Sequence, residues 1–125
     1  MSEKMGSTRW AIPEGYIPGK SVDSHDPDLE SHEAACLLNP SEEEADITIT
    51  LFFEDRDPVG PYRLKVPARR TKHLRFNDLK VPEPVPRDTA YASLIKSSVP
   101  IIVQHTRLDS RNPSVALLST IAFAF

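Results

Sequence analysis

At 125 residues with one cysteine, the chain is a single domain by length. It is large enough to bury a core without disulfides, and it lacks the cysteines of the usual zinc sites. Hydrophobic residues make up 39% and charged residues 26%, which excludes a mainly disordered chain. No apolar run reaches the roughly 20 residues of a membrane helix, and "MSEKMGSTRW" has no hydrophobic signal core. These features predict a soluble, cytoplasmic protein.

Charge is unevenly placed. Residues 1–46 carry 11 acids against 3 bases, whereas residues 47–125 carry 12 bases against 7 acids. The two portions therefore attract each other, within the fold or between subunits. The chain as a whole is acidic, at −3, so nucleic acid enters as a weak, nonspecific partner at most.

Twelve prolines punctuate short apolar segments, an all-β pattern. "TRWAI" predicts a first strand, and "PEGYIPGKSVDSHDPDLES" a polar, turn-rich excursion. "HEAACLLN" predicts a second strand, with Cys36 an inert buried thiol among apolar neighbours. His32 and Glu33 are adjacent, so on a strand they point to opposite faces and cannot chelate together. "PSEEEAD" is a solvated acidic turn.

"DITITLFF" alternates Ile47, Ile49, Leu51 and Phe53 against Thr48 and Thr50, the clearest strand. Pro58 and Gly60 suit a type I turn leading into "YRLKV". "VPARRTKHLRFNDL" follows as a strand. One of its faces is wholly polar, with Arg69, Thr71, His73, Arg75 and Asn77; the other is apolar at both ends, with Leu74 and Phe76 among its members. "AYASLIKSS" and "IIVQHTRLD" are two strands joined through Val99-Pro100, and "VALLSTIAFAF" is the last. About seven or eight short strands with regular turns give an all-β, single-domain antiparallel β-sandwich, jelly-roll-like in character. Ile101 and Val103 face one way and Ile102 the other. A strand apolar on both faces needs cover on both, and a second subunit supplies it.

Four scattered glycines make no phosphate loop, and no G-x-S-x-G or H-E-x-x-H motif is present. No catalytic constellation, metal site or cofactor site is expected. Three polar groups stand out. The first places Trp10 near Glu14 and Tyr16, the second is the row from Arg69 to Asn77 with Asp78, and the third is Gln104, His105, Arg107, Asp109 and Arg111. An aromatic face with amide, carboxyl and guanidinium groups is the inventory of a carbohydrate site. The same residues also serve ordinary structural roles: Trp10 in a core, the arginines in ion pairs, the histidines on a surface. His73 and Arg75, and likewise His105 and Arg107, are spaced by two and share a strand face. We expect the four to meet in one polar site, answered by Glu14, Asp78 and Asp109.

"WAIPEGYIP", "DPVGPYRLKVPARRTKHLRFNDL" and "VPIIVQHTRLDSR…ALLSTIAF" together resemble the sensory rhodopsin transducer family, from Trp10 to about Phe123. The resemblance implies a small cytoplasmic β-sandwich that assembles as a homotetramer. It further implies a signalling adaptor, not an enzyme, that docks on the cytoplasmic face of a membrane photoreceptor. DNA binding and binding of sugar-like small molecules are the family's other suggested roles. The residues carried over are Trp10, Glu14, Arg69, His73, Arg75, Asn77, Gln104, His105, Arg107 and Asp109, as ligand- or partner-binding positions.

Overall fold

Ile47, Ile49 and Leu51 are buried while Asp46 and Phe52 are exposed, so a period of two defines one half-buried strand over Ala45–Phe53. The computed structural model describes residues 5–23 and 25–125; residues 1–4, part of the segment read for a signal core, lie outside them. Among the described residues there are eight strands: β1 Ser7–Gly15, β2 His32–Asn39, β3 Ala45–Phe53, β4 Val59–Val66, β5 Arg70–Arg75, β6 Tyr91–Asp109, β7 Ala116–Ile121 and β8 Phe123–Ala124. All pair antiparallel, as the sequence predicts. No described helix is long and apolar enough to cross a membrane.

The sandwich has two sheets that share one long strand. The first runs β4-β3-β6-β1-β8, and the second β5-β2-β6-β7. Expected as two strands, β6 is instead 19 continuous residues. Residues 91–97 pair with β3, and residues 102–108 pair with β2. Pro100, which has no N–H to donate, falls between these ladders, where the strand passes from one sheet to the other.

Inward-facing Trp10, Ile12, Leu37, Ile47, Ile49 and Leu51 join Ile95, Ile101 and Val103 in one core. The Trp10 indole N–H donates to the carbonyls of Ser7 (3.0 Å) and Ile101 (3.1 Å), so its single polar atom is satisfied where it is buried.

Three local expectations change. Gly60 lies within β4, at the register shift against β3, and not in the preceding turn. The cationic segment 66–79 is a strand only over Arg70–Arg75: Arg69 sits in a left-handed turn at φ 56°, and Phe76–Asp78 form one turn of 3-10 helix. The C-terminal strand is divided at Ala122, with β7 on one sheet and β8 on the other.

Candidate functional site

In β2 the buried face is Glu33, Ala35 and Leu37, and all three are fully buried. Their cross-strand partners on β6 are Arg107, His105 and Val103. Directly paired residues of antiparallel strands share a face, so Glu33, His105 and Arg107 come together inside the sandwich mouth. The Glu33 carboxyl is held by three groups: the Tyr16 backbone N–H donates to Oε1 at 2.8 Å, Arg107 Nε donates to Oε1 at 2.6 Å, and His105 Nε2 is hydrogen-bonded to Oε2. Burial works against the Arg107 charge, but its bond and attraction to Glu33, with help from Glu14, hold the guanidinium above its ordinary pKa. Arg107 Nη1 also reaches the exposed Glu14 carboxyl at 3.4 Å.

Neighbouring groups position this centre. The 3-10 turn swings Asn77 out of the polar row, so that its Oδ1 accepts from the Glu33 N–H at 3.3 Å and its Nδ2 donates to the Ser31 carbonyl at 3.0 Å. Gly15 lies against the Tyr91 ring, where an added Cβ would stand 2.5 Å from ring carbons. Only glycine lets the chain pass there to deliver the Tyr16 N–H. Tyr91 itself is buried and its hydroxyl has no partner. Burial, reinforced by Glu33 and opposed by Arg107, pushes its phenol far above the ordinary tyrosine pKa.

A cleft of about 440 Å³ opens over the Arg107 and His105 side chains. Its walls include Ile12, Pro13, Leu118, Ile121 and Phe123; Glu14 and Thr120 add polar groups at its lining. Such an apolar trough with a few fixed polar atoms is the general form of a binding site. Among the described residues, no group of His, Cys, Asp and Glu could hold a metal ion.

The other sequence candidates go elsewhere. Trp10 is part of the core and does not line the cleft. Arg69 is exposed and 3.8 Å from Glu42. Asp109 pairs with Arg111, which holds its carboxyl below the ordinary range. Gln104 donates to Ser119 Oγ.

The expected convergence of His73 and Arg75 with His105 and Arg107 does not occur. His73 pairs across Cys36 to Gln104, and Arg75 pairs across Ala34 to Thr106. That parity puts His73 and Arg75 on the outer face of the sheet while His105 and Arg107 face inward. His73 is exposed there, and Arg75 binds the Pro27 carbonyl beside Asp28 and Glu30, tying down the excursion. Cys36, expected to be buried, is half-exposed on this outer face, because Ala35 and Leu37 take the inner one.

Residues 5–124 match the family described as ASRT, Anabaena sensory rhodopsin transducer. The chain belongs to the Anabaena sensory rhodopsin transducer family. Among solved structures, the Anabaena sensory rhodopsin transducer is 56% identical over 86% of this chain and 100% of that one, with a TM-score of 0.76. A crystal structure of Thermotoga maritima 1070 is 32% identical over 96% of each chain, with a TM-score of 0.83. Comparison with curated proteins gives no match. In this candidate site of a transducer-family chain, Glu33 is the central residue that the motifs alone do not single out. Its signal is nevertheless in the sequence: in "HEAACLL" the alternation Glu33, Ala35, Leu37 places the glutamate on the apolar face.

Proposed function

We propose that this transducer-family chain is a non-enzymatic cytoplasmic signalling adaptor. It takes up a receptor contact at the Arg107 cleft and passes the signal on through protein–protein contacts within a homotetramer. The observation that carries this reading is the state of the Glu33 carboxyl. Both of its oxygens are engaged by Tyr16, His105 and Arg107, so it holds a cation in place instead of serving as a free base. The fixed guanidinium then offers a receptor segment a carboxylate anchor in an otherwise apolar trough, with the exposed Glu14 displaced by the incoming acid. The relative that is 56% identical is named as a sensory rhodopsin transducer, which supports a sensory rhodopsin as the receptor in this reading.

A second reading is a carbohydrate-type binding module. Its support is the set of hydroxyl, carboxyl, imidazole and guanidinium groups that Thr120, Glu14, His105 and Arg107 bring to one cleft.

Assembly is the part of the adaptor reading most open to direct test. On the outer face of the second sheet, half-buried Ile102 lies opposite Leu38, which is 40% exposed, and Gln104 lies opposite Ile121, which is 64% exposed. Leu117 is 68% exposed on the same face. Subunit contact covers this apolar band. Light scattering at micromolar concentration should give a tetramer for the native chain and a smaller species for Ile121→Glu. A native chain that runs as a monomer would contradict the proposed assembly.

A further inference from the structure

The outer face of the first sheet carries a row of cations built by strand register. Arg63 on β4 pairs with Thr48 on β3, Thr48 pairs with Lys96 on β6, and Lys96 pairs with Arg9 on β1. Directly paired residues share a face, so Arg63, Lys96 and Arg9 line up across four adjacent strands at spacings of about 4.8 Å per strand. All three are exposed. Among the described residues none of the three is within ion-pair distance of an acid. The acid nearest in register is Asp46, two residues from Thr48, and its carboxyl is already 3.1 Å from Lys65. Glu44 also lies on Lys65, at 3.4 Å.

Aromatic groups border the row. Phe125 lies under the Arg9 guanidinium, 5.1 Å from atom to ring centre. Phe123 pairs with Ala11, two residues along from Arg9 on the same face, and is 65% exposed. Phe125 is 46% exposed and Phe52, on this face of β3, is 38% exposed.

We propose that this sheet face is a docking surface for an anionic lipid bilayer. A broad sheet face bearing a straight row of unpaired cations complements a plane of phosphate and carboxylate headgroups. Phenyl rings beside the row have no hydrogen bond to offer a base edge, but they insert at the headgroup–acyl boundary, where aromatic side chains and cations act together. A nucleic-acid duplex would use the cations and leave the exposed rings in water, so the bilayer accounts for both features. The proposed docking calls on neither Arg107 nor His105, although Phe123 also walls the cleft where it borders this face. It goes beyond the receptor reading, since lipid vesicles contain no receptor.

The test is co-sedimentation with vesicles of about two parts phosphatidylcholine to one part phosphatidylserine, and with phosphatidylcholine alone. The native chain should sediment with the anionic vesicles at low salt, not with the neutral ones, and should be released as salt rises. The double variant Arg63→Gln, Lys96→Gln should bind about tenfold less or weaker still. Arg70→Gln, Lys72→Gln removes the same charge from exposed positions on β5 and should leave binding unchanged. These four side chains are exposed, so matched thermal melts will show that the variants are folded. The proposal is overturned by no sedimentation of the native chain at low salt, or by equal loss in both double variants. Duplex DNA bound at low salt through Arg63 and Lys96, with anionic vesicles unbound, would overturn it as well and assign the row to nucleic acid.

Discussion

Glu33→Ala should destabilise the protein by about 3–5 kcal/mol, the usual cost of removing one partner from a buried charged pair. Glu33 is fully buried, and its removal strands the Tyr16 N–H, the His105 ring and Arg107 Nε at once. Arg107 Nη2 already lacks a partner, so the guanidinium would keep only its 3.4 Å contact to the exposed Glu14. Glu33→Gln retains the volume and one acceptor oxygen, and should cost less, about 1–3 kcal/mol. Glu14→Ala supplies the contrast. Its side chain is 78% exposed, and an exposed ion pair contributes ~0–1 kcal/mol. Urea denaturation at one fixed protein concentration, read from the chain's one tryptophan, gives all three values. Equal effects from Glu33→Ala and Glu14→Ala would show that Glu33 does not organise the site.

Trp10→Ala should cost a similar amount, about 3–5 kcal/mol, through lost burial and the cavity left behind. Trp10 is 6% exposed and packs among Ile12, Ile95, Ile101 and their neighbours. Its indole also bridges two backbone carbonyls, Ser7 and Ile101, where β1 meets β6. Trp10→Phe keeps much of the volume but leaves the Ile101 carbonyl without this donor, and should cost about 1–3 kcal/mol. Circular dichroism melts will measure both. A sugar-stacking tryptophan would behave differently: its replacement would leave the melting temperature in place and abolish binding alone.

The strands were legible because their inner faces alternate. "HEAACLLN" is β2 to the residue, and "DITITLFF" is β3 less its first alanine. Pro100 concealed the continuity of β6, since a proline reads as a break unless the strand is known to change sheets there. The division of the C-terminal strand at Ala122 was hidden for a related reason: "LLSTIAFAF" has a strand's composition throughout, and only the pairing partners differ on either side.

The site was half legible. His105, Arg107 and Glu14 stand out in the sequence as polar residues on shared motifs, and the structure brings them to one cleft. His73 and Arg75 join them on spacing alone. Spacing by two fixes a common face within one strand, but it does not say whether that face points inward. The register through β2 decides it, and register is a tertiary fact. Glu33 is easily passed over because its neighbour His32 invites a metal-ligand question. Its own face, shared with Ala35 and Leu37, holds the information.

Titrating the purified chain against a sensory rhodopsin held in lipid nanodiscs, in the dark and under illumination, tests the adaptor role most directly. Saturable binding is expected, and Arg107→Gln should weaken it about tenfold or more, equivalent to ~1.4 kcal/mol. Arg69→Gln, remote from the cleft, should leave it unchanged. Absence of binding in both dark and light would contradict the adaptor role, and a simple sugar that raises the melting temperature of the same preparation would give the cleft to the carbohydrate reading instead.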